Sequence, residues 1–278
     1  MSRRVILTYG RSLQTLAAAK SLAEQGLFVI ACDDAPLMAT QFSRHVKQTF
    51  THAPPDREPD RFLAQLESAL EQWQEDAELP VLMPMHRETR LVAENRDRLS
   101  RYALIAAPTS EMIDRVCPKD HLIETAREAD VSHPETIILD EDSGVDPQAQ
   151  TYPLFVKAAG TFGAHGVRMV DKPDQLSVAV KKVRRWAQTN DGGPVLLQQA
   201  VEGRDYCFTG LWREGELIAH MTYRNLQTLP PSGGTGVLRQ TVDATPLIGP
   251  ARSLMKQANW HGVAQVDFRW SGESDDQP

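Results

Sequence analysis

Three short stretches hold the residues best able to do chemistry. In Phe155-Val156-Lys157-Ala158-Ala159-Gly160-Thr161-Phe162-Gly163-Ala164-His165-Gly166-Val167, a strand-like run delivers a lysine to a loop with three glycines. Glycines let backbone N–H groups turn towards a phosphate, and a nearby lysine supplies a point charge. The spacing is not that of the Walker loop, which needs Gly-Lys-Ser/Thr entering a helix. A glycine-rich hairpin with Lys157 on a wet face is the plain alternative, because glycines are frequent at turns. In Val195-Leu196-Leu197-Gln198-Gln199-Ala200-Val201-Glu202-Gly203-Arg204-Asp205, a buried strand breaks at Gly203. Such a break can present backbone N–H and C=O to a purine edge while an acid just beyond reaches ribose hydroxyls. A strand ending in a turn is the simpler reading of those residues alone. In the third stretch, Gly262 to Phe268, Asp267 shares one side of an alternating strand with Val263 and Gln265, and Ala264, Val266 and Phe268 take the other. A carboxylate placed there is either solvated or a ligand for a hard cation.

Two arginines, Arg224 and Arg239, flank Pro230-Pro231-Ser232-Gly233-Gly234, a loop pattern on which a guanidinium could meet a carboxylate or phosphoryl group. Solvation is the base-rate expectation for each. His121 and His165 lie near these stretches but form no metal-spaced pair, so no chemistry is assigned to them.

These residues need elements to position them. Val5 to Thr8 reads as a short strand, Leu13, Leu16, Ala17 and Ala23 recur at helical spacing, and Leu27 to Ala31 reads as a buried strand ending at Asp33-Asp34. The alternation continues through a helix with Phe62, Leu63, Leu66 and Leu70, a strand from Val81 to Met83, a helix with Leu91, Val92 and Leu99, and a strand from Ala103 to Ala106. Residues 1–108 therefore read as an α/β domain with a parallel, Rossmann-like sheet. After Pro108 come helices over Ser110 to Val116 and around Leu122, Ile123 and Ala126, then a strand at Ile137 to Leu139. One long helix pattern carries Leu176, Ala179, Val180 and Val183. Strand patterns over Val195 to Gln199, Tyr206 to Trp212, Glu216 to Tyr223 and Val263 to Trp270 give residues 109–278 an α+β character with antiparallel sheet.

Composition narrows the classes. The 278 residues carry a formal charge of -7, against a nucleic-acid surface, whose binding is driven by clustered Lys and Arg. The basic run Lys181-Lys182-Val183-Arg184-Arg185 fits a solvated helix face. No apolar run approaches the roughly 20 residues of a membrane helix. Cys32, Cys117 and Cys207 fit no metal spacing or disulfide framework, which suits a reducing cytoplasm.

Taken in order, the stretches resemble the ATP-grasp superfamily, and within it the carboxylate–amine ligases similar to carbamoyl phosphate synthetase and D-alanine–D-alanine ligase. The resemblance includes Cys117-Pro118-Lys119-Asp120 before a helix and Val131-Ser132-His133-Pro134-Glu135-Thr136 after it. It implies an N-terminal domain over 1–108 and an ATP-grasp domain over 109–278, with a helical part and first lobe at 109–200 and a second lobe at 201–278. It implies that Lys119 and Lys157 neutralise the α- and β-phosphates of ATP, and that the loop from Gly160 through Gly163 to Gly166 closes over the γ-phosphate. Gln198 would face the adenine amino group, Gln199 and Val201 its edge, and Asp205 the ribose. Asp267 would bind Mg²⁺, and Arg239 is the catalytic candidate. A substrate carboxylate would take the γ-phosphoryl group to give an acyl phosphate, which an amine or similar nucleophile would displace. Pro118 stands where the family often has Asp or Asn, and Gln198 where an acid is common. The family's second metal ligands follow the strand of Asp267, so the chain reads as a fragment of a longer ligase, expected to bind nucleotide weakly and to turn over little or none. The expected partners are small-molecule carboxylates and amines, with no nucleic acid and no membrane, and a homodimer is left open. Two rivals are kept: a non-catalytic relative that only binds ATP or ADP, and an NAD-dependent enzyme using Asp33-Asp34 on a ribose. Against the latter, Tyr9-Gly10-Arg11-Ser12-Leu13 lacks the glycine spacing that admits a pyrophosphate.

Overall fold

The computed structural model describes residues 2–74, 78–139, 144–161, 166–229 and 235–272. The chain divides into two compact units, Met1–Ser110 and Glu111–Pro278.

The first unit is an α/β domain. Its strands are β1 (Arg4–Leu7), β2 (Phe28–Asp33), β3 (Gln48–Thr51), β4 (Val81–Met83) and β5 (Leu104–Ile105), all parallel in the order β3-β2-β1-β4-β5. Helices α1 (Leu13–Glu24), α2 (Pro59–Gln72), α3 (Glu88–Glu94) and α4 (Arg96–Leu99) connect them, as parallel strands require. Ser12 caps α1 by accepting from the Thr15 N–H, and α2 starts with Pro at its first position. The apolar stripe of α2, Phe62, Leu63, Leu66 and Leu70, is buried with Ile6, Ile30 and Leu82 of the sheet. Full burial of each such side chain stabilises by about 1.5–3 kcal/mol. The helix expected around Leu91, Val92 and Leu99 is two helices broken at Asn95. The edge strand β3 was not expected, since Gln48-Thr49-Phe50-Thr51 is mostly exposed and has no apolar run.

The second unit is α+β. It opens with α5 (Ser110–Val116) and α6 (Lys119–Glu128). One sheet, ordered β6-β9-β7-β8, contains β6 (Thr136–Leu139), β7 (Leu154–Ala158), β8 (Val167–Val170) and β9 (Val195–Gln199). All its pairings are antiparallel. Helix α7 (Pro173–Asn190) covers one face of this sheet, burying Leu176, Val180 and Val183 with Leu154, Val156 and Val195. It stops at Asp191, left-handed at φ 51°, followed by Gly192 and Gly193. The other sheet, ordered β12-β11-β10-β13, contains β10 (Arg204–Arg213), β11 (Glu216–Leu229), β12 (Thr235–Val242) and β13 (Gly262–Trp270). Helix α8 (Ile248–Gln257) precedes β13 and buries Leu254 with Ala126 and Val131. Neither β12 nor α8 was expected. Arg239, read as flanking a loop, lies within β12. Among the described residues, no helix is long and apolar enough to cross a membrane.

Candidate functional site

The first group of candidate residues gathers on the first sheet of the second unit. Strand β7 alternates strictly, with Leu154, Val156 and Ala158 buried and Phe155 and Lys157 on the other face. The register pairs Phe155 with Gln198, which makes Lys157 and Gln198 diagonal neighbours on that face. The Lys157 ammonium donates to Gln198 Oε1 at 2.6 Å and lies 5.1 Å from the Phe155 ring centroid. The Gln198 amide has a defined orientation. Thr136, its partner in β6, donates its hydroxyl proton to Pro134 O at 2.8 Å and accepts from Gln198 Nε2 at 3.1 Å. The carbonyl end is thereby turned to the lysine.

Lys119 reaches the same region from the first position of α6, where the helix dipole disfavours a cation. Its ammonium donates to Thr161 Oγ1 at 2.7 Å, to the Thr161 carbonyl and, at 3.4 Å, to Ala159 O. Burial lowers the pKa of Lys119. Burial and then the Lys119 charge lower that of Lys157 to about 8. The two cations are close enough to repel, and no carboxylate is ion-paired to either among the described residues.

The glycine loop is anchored rather than loose at its described ends. Gly160 N–H donates to Gly192 O at 2.8 Å, so that group holds the start of the loop and is not turned to a ligand. Gly166 has φ 65°, and a Cβ there would come within 2.7 Å of both Thr161 and Trp186. Gly163 lies outside the described residues.

The Gln198–Asp205 stretch places its groups as follows. Gln199 N–H donates to Glu135 O at 2.9 Å, and Val201 O accepts from Arg269 Nε at 3.3 Å. Asp205, the second residue of β10, pairs with Arg269 at 2.7 Å, both side chains well exposed.

The second group lies on the other sheet. Asp267 projects from the exposed side of β13, with Gln265 Nε2 donating to its Oδ1 at 2.8 Å. Cys207, opposite Asp267 in β10, is buried, and burial followed by the Asp267 charge pushes its thiol up to about 11, so it stays neutral. Tyr223, opposite Cys207 in β11, donates to Gln265 Oε1 at 2.7 Å, and burial pushes its hydroxyl up to about 12. Arg239 stacks on the Tyr223 ring, its guanidinium carbon 4.9 Å from the centroid. Arg224 behaves differently: it is the register partner of Gln240, the next residue along β12, and bonds to Gln240 Oε1 at 2.7 Å. Arg239 therefore shares a side with Asp267, and Arg224 does not. No group of three or more His, Cys, Asp or Glu side chains suited to a metal occurs among the described residues. Asp267 is an exposed carboxylate beside a thiol that remains protonated, and Asp205, two residues before Cys207 in β10, lies on the same side of the sheet. Thr136, Thr161 and Tyr223 were not singled out from sequence. Thr136 closes the segment that suggested the family, which is the signal that could have found it.

In the first unit Asp33 is buried and accepts from Arg11 N–H and Nε and from Ala35 N–H at 2.7–2.9 Å. Burial alone would push its carboxyl up, but these bonds outweigh it and hold the pKa down. A carboxylate so committed is poorly placed to take a ribose, which weighs against the dinucleotide reading.

No protein-family model matches the chain. Over 93 residues it is 33% identical to a putative D-alanine–D-lactate ligase of Streptomyces coelicolor, a stretch amounting to 34% of this chain and 25% of that protein. Its fold is similar to that of an L-amino acid ligase from Bacillus licheniformis, with TM-score 0.70 and 12% identity over 96% of this chain and 63% of that one. It is also similar to the biotin carboxylase domain of a Hydrogenobacter thermophilus 2-oxoglutarate carboxylase, solved with MgADP, ADP and bicarbonate. There the TM-score is 0.68 and the identity 16%, over 96% of this chain and 61% of that one. The chain thus spans a quarter of that curated relative and under two thirds of both solved chains.

Proposed function

The chain has the ATP-grasp fold, and from that premise we propose that it binds ATP with Mg²⁺ and serves ligation of a carboxylate to an amine or similar nucleophile. In this reading residues 1–108 are the N-terminal α/β domain and 109–278 the ATP-grasp region. The observation that carries it is the pair of half-buried lysines, Lys119 and Lys157, held by neutral oxygen acceptors and repelling one another. Such a pair favours a polyanion, because each bond between a cation and a phosphate oxygen is charge-assisted. Lys119 and Lys157 hold the α- and β-phosphates. Gln198, Gln199 and Val201 meet the adenine edge, and Asp205, freed from Arg269, takes the ribose. Gly160 and Gly166, at the ends of the glycine-rich stretch, lie on the γ-phosphate side. Asp267 holds the metal, which supplies neutralisation of phosphate charge. Arg239 faces the transferring phosphoryl group.

The reaction in this reading is the acyl-phosphate route that the ATP-grasp resemblance implies, and the charge arrangement suits it. A substrate carboxylate oxygen bonds to the γ-phosphorus as the bond to the β-phosphate oxygen breaks, giving an acyl phosphate and ADP. An amine then attacks the acyl carbon, phosphate leaves, and the amine proton goes to solvent. The residues named act by positioning and neutralising charge, which dominate phosphoryl transfer.

Calorimetry with ADP tests the reading. Lys157→Ala loses a charge-assisted bond of about 1.5–3 kcal/mol and is expected to weaken ADP by about tenfold or more. Equal affinity in the variant and the unaltered chain would overturn the assignment.

A further inference from the structure

The Asp267 side of the second sheet carries a connected run of side chains. Cys207 stands between Tyr223 and Asp267, each its direct register partner. Above this row the Tyr223 hydroxyl is 2.7 Å from Gln265 Oε1, and Gln265 Nε2 is 2.8 Å from Asp267 Oδ1. The directions of these bonds are fixed by chemistry. An ionised carboxylate only accepts, so it takes the NH₂ end of the amide, and the carbonyl end must face the tyrosine, whose hydroxyl donates. Thr209 Oγ1 stands at 3.5 Å from the same carbonyl, at the limit of a hydrogen bond. Tyr223 also has Arg239 stacked on its ring at 4.9 Å. One side chain thus touches a cation through its face and a carboxylate through a single intervening amide.

We propose that Tyr223 is a positioning residue, which fixes the rotation of the Asp267 carboxylate through Gln265 and the place of the Arg239 guanidinium through its ring. The inference rests on the reading of Asp267 as the metal ligand and Arg239 as the phosphoryl contact. A carboxylate on an exposed strand turns freely about its last torsion. A neutral amide holding Oδ1 restricts that rotation without cancelling the charge, as an ammonium or guanidinium there would. Partners of this kind orient metal ligands, and their loss costs about 10–100-fold in metal affinity. The ring contact works separately: it gives a long, flexible arginine a flat surface on which its planar head rests.

The two roles are separable by substitution. Tyr223→Phe keeps the ring and removes the hydroxyl, Gln265→Leu removes the amide, and Tyr223→Leu removes ring and hydroxyl together. ADP affinity is measured by calorimetry across a Mg²⁺ series, with Asp267→Asn and Arg239→Ala as references. ADP affinity without metal is expected to be unchanged in Tyr223→Phe and Gln265→Leu, while the Mg²⁺ concentration giving half of the metal-dependent gain rises about tenfold. Gln265 is exposed, so its variant reports even where a change at Tyr223 impairs folding. The preference for a non-hydrolysable ATP analogue over ADP is expected to survive Tyr223→Phe and to fall in Tyr223→Leu to the level of Arg239→Ala. A wild-type Mg²⁺ response in both Tyr223→Phe and Gln265→Leu, with Asp267→Asn impaired, overturns the inference alone. A wild-type response in Asp267→Asn overturns the metal assignment, and no ADP binding by the unaltered chain overturns the nucleotide reading; either takes the inference with it.

Discussion

ADP binding is expected to depend on pH through Lys157. In the free protein, burial and the Lys119 charge lower its pKa from the ordinary 10.5 to about 8. A bound diphosphate favours the ammonium and returns the pKa towards the ordinary value or above it. Because the complex holds the proton more tightly than the free protein, binding takes up a proton wherever free Lys157 is deprotonated, and affinity falls as pH rises through 8. With those two pKa values the loss between pH 7 and pH 9 is about tenfold, and the uptake at pH 8 is about half a proton per ADP. Lys119, also lowered by burial, acts with the same sign. The terminal phosphate of ADP, with a last pKa of about 6, stays ionised across that window. Calorimetry in two buffers of different ionisation enthalpy measures affinity and proton uptake together, and Lys157→Gln supplies the control. An affinity flat from pH 7 to pH 9, or an equal fall in Lys157→Gln, would refute the reasoning.

Two further substitutions test packing and burial. Gly166→Ala places a methyl within 2.7 Å of Thr161 and Trp186 at φ 65°, and is expected to destabilise by about 1–3 kcal/mol, read as a lower melting temperature. Glu88 is buried with neither carboxyl oxygen bonded, and burial raises its pKa to about 7. The folded state therefore holds the proton more tightly, so stability is lost as pH rises from about 4.5 to about 7. Glu88→Gln is expected to melt higher than the unaltered chain above pH 7, by at most about 3 kcal/mol, with the advantage gone at pH 4. A variant melting below the unaltered chain at pH 8 would show that the carboxylate is stabilised by something other than its surroundings here.

Elements whose local pattern agrees with their place in the fold were legible. Val81-Leu82-Met83 forms β4 and Ser110 to Val116 forms α5, with the bounds their patterns suggested. Elements whose sequences contradict their local signals were not. Edge strand β3 is polar, β12 holds Gly236 and Arg239 inside a strand, and α8 carries Gly249 and Pro250 in its first turn, where both are tolerated although they read as a break. Within the site, Lys157 and Gln198 could be named individually. Their contact could not, since it depends on an antiparallel register between strands 37 residues apart at Val195 and Ala158, which no local pattern sets. The bond between Tyr223 and Gln265 is hidden for the same reason, as it spans β11 and β13 with β10 between them.

Lys119 is already fully engaged in the free protein. Its backbone N–H and its ammonium both reach back to Ala159 O, and the ammonium also takes the carbonyl and hydroxyl of Thr161. The first turn of α6 and the root of the glycine loop are therefore sewn together by one residue, and its side-chain stitches are cationic. In the proposed reading an incoming phosphate competes for that ammonium with three oxygens of the chain itself. Where it wins, the carbonyls of Ala159 and Thr161 lose a donor just where the loop begins, while the bond from the Lys119 N–H persists. Ligand arrival and a change in the footing of the loop are thus two descriptions of a single exchange of acceptors at one nitrogen.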